Sequence, residues 1–565
     1  MKLEGKLELT WVGKNEEIKL EPRILVEDKS KSYGDPNSEN MLIHGDNLLA
    51  LKALEKDFAG KIKCVYIDPP YNTGSAFEYY EDGLEHSEWL CMMKPRLELL
   101  RKLLSDDGVI FIQLDDNEQA YLKVLCDEIF GRNNYLNTIS VKMKNIAGAS
   151  GGGEDRRLKK NVEYIMVYTK NYDLFKWINN AYDYTELSDL VDNYRKNEVS
   201  WKYTSVIYDA GEKEYIDSTV DGDGNEIKIY QRKNPIFKSI SQIMKDEGLD
   251  EKSAYYKYID KIYTTAMPQS SIRPRVLEKL QSKNHSDYEL ISIEYIPKTG
   301  KNKGQIYEQF YKGDKLRLFA WLKDVVVKKG ESYYKKDLQG TYWDGINLNN
   351  LTKEGSVVFP SGKKPEALIQ RIIDMTTLEN DFVLDSFLGS GTTAAVAHKM
   401  KRKWIGIEMG EHAYSHCKER LDRVVCGDDA GGITEDVLWQ GGGGYKFYEL
   451  AESLLVKNEK LPIYQINPNY TFEMMCEAIC KIEGFDYKTE GSFHGKSSEN
   501  RFIHITTEFV NAEYIKNLSK ELSEKQSLLI YSTKFATDLR LPDNIVVKKI
   551  PKDLLKKCKF ESEVR

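Results

Sequence analysis

No stretch of this 565-residue chain approaches the roughly 18 uninterrupted apolar residues that a membrane span needs. The opening Met1-Lys2-Leu3-Glu4-Gly5-Lys6 has no apolar run behind its charge, so nothing directs export and a cytoplasmic location is expected. Cysteine is sparse: there are eight, and the nearest pair, Cys476 and Cys480, has no histidine or second cysteine pair at zinc spacing. Reduced thiols without a metal are therefore expected. Excess positive charge is missing too. The 82 Lys and Arg against 89 Asp and Glu leave a net charge of −7, which excludes a simple basic nucleic-acid binder and makes any DNA surface local. There is no internal repeat of solenoid period.

What is present is a large core spread over several domains. A content of 41% hydrophobic and 30% charged residues suits a globular chain, and the length exceeds what one core fills. Between Tyr295 and Lys336 eleven Lys or Arg residues face four acidic ones, interleaved with Tyr307, Phe310, Tyr311, Phe319, Trp321, Tyr333 and Tyr334. That mixture fits a phosphate-tracking, base-stacking surface, and it equally fits a solvated face over an aromatic core.

Patterning places two α/β units far apart in the chain. In the first, Ile62 to Ile67 reads as a strand that stops at Asp68-Pro69-Pro70-Tyr71, because two prolines end regular structure. Apolar positions from His86 to Leu104 then recur at helical spacing, and Val109 to Ile112 reads as the next strand. In the second, a helix begins at Pro365, a strand covers Asp381 to Asp385, a helix covers Thr392 to Met400, and a strand covers Lys403 to Glu408. A polar, aromatic insert separates them, with glycines at Gly148 to Gly153 and Gly222 to Gly224. Gly441 to Gly444 reads as a hinge before a last α/β segment.

Two constellations carry chemistry. Asp385-Ser386-Phe387-Leu388-Gly389-Ser390-Gly391-Thr392 lies between a strand and a helix, where glycines admit a cofactor to the backbone and the helix start offers unpaired N–H groups. Glu408, closing the next strand, is set to bind ribose hydroxyls. The same turn satisfies a dinucleotide fingerprint, so a nicotinamide or flavin oxidoreductase is the rival; no Lys precedes Thr392, which excludes a Walker loop.

The second constellation separates these readings. Asp68 to Tyr71 sets a carboxylate, a stiff carbonyl and an aromatic face at a strand's C-terminal end. An aromatic amine is a poor nucleophile because its lone pair is delocalised. Acceptors on its N–H groups, here Asp68 and the Pro69 carbonyl, favour a pyramidal nitrogen, and Tyr71 can stack on the base once it leaves the duplex. A lone prolyl turn is usually only a turn; paired with a second glycine-rich strand end, it is more.

On these motifs the chain resembles the beta-class DNA amino-methyltransferases, in which the D-P-P-Y loop precedes the F-x-G-x-G loop. Leu9 to Lys14, Ile43 to Asn47, Tyr71 to Gly74 and Trp439 to Gly444 resemble the modification subunit of type III restriction-modification systems. The resemblance implies an α/β, doubly wound, Rossmann-like fold that binds S-adenosylmethionine. It further implies a methyltransferase core in residues 1–170 and 345–440, a target-recognition insert in 171–344, and a small α/β association domain in 441–565. It assigns catalysis to Asp68, Pro69, Pro70 and Tyr71, and the cofactor to Asp46, Lys364, Pro365, Asp385, Phe387, Gly389, Gly391, Thr392 and Glu408. Ser386 stands where many members have Pro, and Phe359-Pro360 replaces the common His-Pro.

The expected reaction methylates N6 of a flipped adenine in duplex DNA. The expected partners are double-stranded DNA, a second copy of the chain and a restriction (helicase-nuclease) subunit. Cytosine N4, an RNA base and a non-catalytic DNA-specificity subunit are the alternatives weighed. His44 is read as a satisfied loop histidine, and Asp115 and Asp116 as helix caps and not metal ligands.

Overall fold

The computed structural model describes residues 7–16, 19–73, 84–144, 158, 160–268, 271–282, 288–298, 302–346, 348, 351–357, 359, 362–498 and 500–560. The glycine stretch at Gly148 to Gly153, Gly74 and Pro360 lie outside them. The chain divides into two units, one of residues 1–180 with 340–565 and one of Ala181–Gln339.

The first unit is built on a sheet with the strand order Leu25–Glu27, Gly444–Leu450, Met41–His44, Lys403–Glu408, Phe382–Asp385, Ile62–Ile67, Leu104–Leu114, Val162–Thr169, Tyr135–Lys142, Tyr342–Trp343. Strands from Gly444–Leu450 to Leu104–Leu114 run parallel, and Val162–Thr169 runs against both of its neighbours. Both faces are buried, which explains the unbroken apolar runs. Val65, Ile67, Ile110, Ile112, Ile405 and Ile407 pack with the helices Asn47–Phe58 and His86–Leu103. Cys64, Tyr66, Phe111, Val383 and Trp404, on the opposite face, are equally buried. Helices Glu366–Thr376 and Thr392–Lys399 contact the central strands as well.

The two halves foreseen from sequence thus share one sheet, and their junction positions the site. From Phe382–Asp385 the chain moves through a helix to Lys403–Glu408 on one side. From the adjacent Ile62–Ile67 it moves through a helix to Leu104–Leu114 on the other. Connections that diverge in this way open a crevice beyond the strand ends, where α/β sheets bind ligands.

The glycine run is where the structure departs from the expected hinge. Gly444–Leu450 is a strand of the main sheet, parallel to Met41–His44. Gly443, at φ +73°, lies where a Cβ would meet the His398 ring at 3.1 Å, so the run is a close-packed crossing. The sheet therefore continues ten residues past the expected boundary at 440, to Leu450. Beyond it, the strands Asp486–Glu490, Phe493–Ser498, Arg501–Val510, Ser527–Phe535 and Ile545–Lys549 form a separate sheet with its own core, which includes Cys476, Cys480 and Cys558. All eight cysteines are free.

The second unit holds an antiparallel sheet running from Glu212–Val220 to Ile236–Ser239 and a small sheet of Val326–Lys329, Ser332–Leu338 and Tyr182–Glu186. Gly222 to Gly224 lie between the hairpin strands Glu212–Val220 and Glu226–Lys233. Part of the aromatic, basic stretch is core: Tyr311, Phe319 and Trp321 are buried, and Phe319 stacks on Tyr263 at 3.8 Å. Other members are displayed. Lys329 lies 3.4 Å from the ring centre of Tyr184, and Lys336 lies 5.4 Å from that of Tyr182.

Candidate active site

Asp68 leaves the end of the Ile62–Ile67 strand and enters a loop braced on several sides. The Tyr71 hydroxyl lies 2.8 Å from Asp68 Oδ1, and the Trp89 indole donates to the Pro70 carbonyl at 2.9 Å. Asn72, at φ 58°, donates to the Leu84 carbonyl and to buried Glu118. The Lys364 ammonium lies 3.2 Å from Asp68 Oδ2 and donates to the Tyr71 oxygen at 2.8 Å. Burial pushes the Asp68 carboxyl up to about 6, with the nearby Glu163 charge adding and Lys364 opposing.

Next door, the glycine turn is held by acids. Asp385 Oδ1 accepts from the Phe387 N–H at 2.9 Å and Oδ2 from the Thr393 hydroxyl at 2.6 Å. Burial nonetheless raises this carboxyl to about 7. Gly389 and Gly391 have φ of +56° and +82°, left-handed values that glycine adopts without strain. Glu408 accepts from Gly389 N at 2.7 Å and from Met409 N and Gly410 N, and its carboxylate also meets His412 Nε2 at 2.9 Å. It is 2% exposed, so it ties the ends of two adjacent strands together. Asp46 caps the Asn47–Phe58 helix through Leu49 N and pairs with Arg96 at 3.3 Å. Asn47 in turn donates to the Ser386 carbonyl.

The motif residues accordingly gather at one edge of the sheet, and several of them are held by partners from within the protein. Lys364, assigned to the cofactor, has its ammonium on the Asp68 loop. Thr392, 4% exposed, accepts from Arg420 at 2.7 Å inside the protein. Pro365 occupies the N-cap position of its helix. Phe359 packs against the His412 and His416 rings, with centroids at 5.8 and 5.5 Å. His44 is satisfied by Glu449 at 2.7 Å. The Gln119–Cys126 helix has Glu118, not Asp115 or Asp116, at its cap position, while Asp115 accepts from Asn117 N and pairs with Lys160.

Sequence reasoning missed two groups. Glu163, on the Val162–Thr169 strand, accepts from Tyr71, Gln113 and Lys364; an acid beside the apolar run Ile165-Met166-Val167 was its signal. Behind the glycine turn, Glu366 is fully buried between Arg420 at 2.7 Å and Lys399 at 2.8 Å, and Lys399 also meets Asp429 at 2.8 Å. Arg420 reaches on to the Ser390 carbonyl at 3.3 Å.

The family profile described as DNA methylase matches residues 62–419, which takes in both motif loops. The chain belongs to this DNA methylase family. It is 47% identical to a probable type III restriction-modification enzyme HindVI Mod subunit of Haemophilus influenzae, over 75% of this chain and 55% of that protein. Identity to the type III EcoPI Mod subunit of Escherichia phage P1 is 31%, over 69% of this chain and 60% of the relative. For the EcoP15I Mod subunit of Escherichia coli it is 27%, over 80% and 72%. The chain therefore spans little more than half of the first two relatives' length. Among its described residues no helix is long and apolar enough to cross a membrane.

Proposed function

We propose that the chain transfers the methyl group of S-adenosylmethionine to N6 of an adenine flipped out of duplex DNA, as the modification and recognition subunit of a type III restriction-modification system. The observation that carries this reading is the meeting of the Asp68 loop and the Asp385–Gly391 turn on adjacent strand ends, in a chain of the DNA methylase family. The residues present suit a cationic, ribose-bearing cofactor. Asp46, Asp385 and Glu408 line the same sheet edge, the turn is kept open by two left-handed glycines, and the buried Ser386 hydroxyl has no hydrogen-bond partner among the described residues.

Bound S-adenosylmethionine supplies an electrophilic methyl carbon. Asp68 accepts one N–H of the amine and so favours the lone pair that attacks. Tyr71 offers its ring to the base. The proton that the methylated nitrogen sheds is taken up by the Asp68 carboxylate and passed to solvent. Glu408 is assigned the ribose, with the complication that its removal would also release Gly389. The Ala181–Gln339 unit is assigned DNA, by the face bearing Tyr182, Tyr184, Tyr334, Lys329 and Lys336, where cations and rings alternate. A restriction partner is supported by the relatives' names as Mod subunits of type III restriction-modification enzymes, self-association is part of the same proposal, and cytosine N4 is the alternative acceptor. Transfer of labelled methyl to duplex DNA, with the modified base identified by digestion, tests the reading. N6-methyladenine is expected, and absence of base methylation overturns it.

A further inference from the structure

Glu163 projects from a strand whose following residues are buried and apolar, and its side chain is 14% exposed. A carboxylate in such a place needs partners, and here Oε2 collects all of them. The Tyr71 hydroxyl lies at 2.8 Å, Gln113 Nε2 at 2.7 Å and the Lys364 ammonium at 3.2 Å. Gln113 is itself oriented by the Tyr66 hydroxyl at 2.7 Å. Both Tyr71 and Lys364 also touch Asp68, one at each carboxylate oxygen. Tyr71 and Lys364 therefore each bridge Glu163 to Asp68 directly, and the two bridges are themselves joined by the bond from Lys364 to the Tyr71 oxygen.

We propose that Glu163 is a positioning residue for Asp68: by anchoring the Tyr71 hydroxyl and the Lys364 ammonium, it fixes where the Asp68 carboxylate points and how readily it is ionised. The proposal rests on the amine-methylation reading above. A phenol has one proton and cannot donate it to both carboxylates. Given to Glu163, it leaves Asp68 Oδ1 as an acceptor for the amine; given to Asp68, it competes with the amine. The single ammonium is likewise divided between two acids. Burial disfavours the charge on Glu163, but Lys364 and the bonds from Gln113 and Tyr71 outweigh it and hold the group below the usual range. Glu163 thus stays anionic and repels negative charge on Asp68.

The groups facing Asp68 are Lys364, from the segment before the Glu366–Thr376 helix; Glu163, from the Val162–Thr169 strand; Tyr66 and Tyr71, from its own strand and loop; and Asp385, on the adjacent strand, which feels its charge. Removing the Glu163 charge while keeping its shape should make Asp68 easier to ionise. Removing the Lys364 charge should make it harder.

The experiment is single-turnover methyl transfer to duplex DNA between pH 5 and 9, for wild type, Glu163→Gln and Lys364→Met, with S-adenosylmethionine affinity measured by calorimetry on each preparation. The acid limb should move down in Glu163→Gln and up in Lys364→Met, each on the order of one pH unit, as expected for a neighbouring buried charge. Cofactor affinity should change little in Glu163→Gln. A merely structural role lowers rates without opposite shifts. An acid limb in Glu163→Gln that stays in place or moves up, in an enzyme whose wild type transfers methyl groups, overturns the proposal. Should Lys364→Met not fold, the direction in Glu163→Gln decides alone. A wild type that methylates no base instead overturns the function reading.

Discussion

Behind the glycine turn, Glu366 and Asp429 face Lys399 and Arg420, two acids against two bases with side chains fully buried. Around Asp68 a single ammonium serves two carboxylates, and Asp68 keeps 19% of its side chain exposed. The balanced cluster resolves its burial: desolvation works against the Glu366 charge, but Arg420 and Lys399 outweigh it and hold the carboxyl low. The unbalanced one does not, and Asp68 is left with a raised affinity for protons. One cluster is arranged to hold a loop still. The other is arranged so that one oxygen-bearing group can still exchange a hydrogen bond or a proton with something new.

The largest effect expected from breaking this contrast is in the balanced cluster. Arg420→Met keeps much of the volume but takes the cation from Glu366 Oε1, leaves two acids to Lys399 alone and frees Ser390 and Thr392, which should cost about 3–5 kcal/mol of stability. A lowered urea midpoint is the readout, and a midpoint equal to wild type would show that the cluster supports nothing. Asp68→Asn, by contrast, should leave the midpoint unchanged or raise it, because the neutral isostere removes an unfavourably buried charge.

Next in size is Asp68→Ala, read on the reaction and not on the fold. Loss of one preorganised charged contact in the transition state is worth roughly 3–4 kcal/mol, or on the order of a hundred to a thousandfold in single-turnover transfer. S-adenosylmethionine affinity should survive, since the bonds made by Asp385 and Glu408 are untouched. Wild-type transfer by a folded Asp68→Ala protein would remove Asp68 from the chemistry.

The same contrast accounts for how much the sequence disclosed. Strands such as Ile62–Ile67 and Lys403–Glu408 were legible because burial on both faces requires unbroken apolar runs, and the turns because prolines and glycines constrain the backbone directly. Asp68 and Asp385 stood out because each follows such a run. Glu163, Glu366 and Arg420 lie in strands and helices whose partners come from elsewhere in the chain, and Arg420 and Glu366 are 54 residues apart. Local pattern cannot report a pairing of that kind. Likewise, Lys364 was found as a motif residue, but its contacts with Tyr71, Asp68 and Glu163 join segments far apart in the chain and could not be read from local pattern. The glycines at 441 to 443 were misread because a close-packed crossing and a hinge both need residues without a Cβ.

The smallest effect, reckoned per pH unit, concerns Asp385, which stands between the two clusters: it is buried as Glu366 is, yet its hydrogen bonds come from the Phe387 N–H and the Thr393 hydroxyl and not from a cation. Its carboxyl is raised to about 7 when folded, whereas an unfolded chain would leave it near the ordinary aspartate value of about 4. Between those limits the folded protein binds the proton more tightly than the unfolded chain. Stability contributed by this group is therefore present at low pH and is lost as pH rises from about 4 through about 7, at no more than about 1.4 kcal/mol per pH unit. Asp385→Asn cannot titrate and can still accept from Phe387 N, while the Thr393 hydroxyl can turn to accept from the new amide. Urea midpoints measured across pH 5 to 8 should then fall less steeply in Asp385→Asn than in wild type, and the difference between the two curves should level off above pH 7. Parallel curves over the whole window would mean that the folded protein binds the Asp385 proton no more tightly than the unfolded chain, and that the turn is balanced after all by a charge supplied from the residues around it.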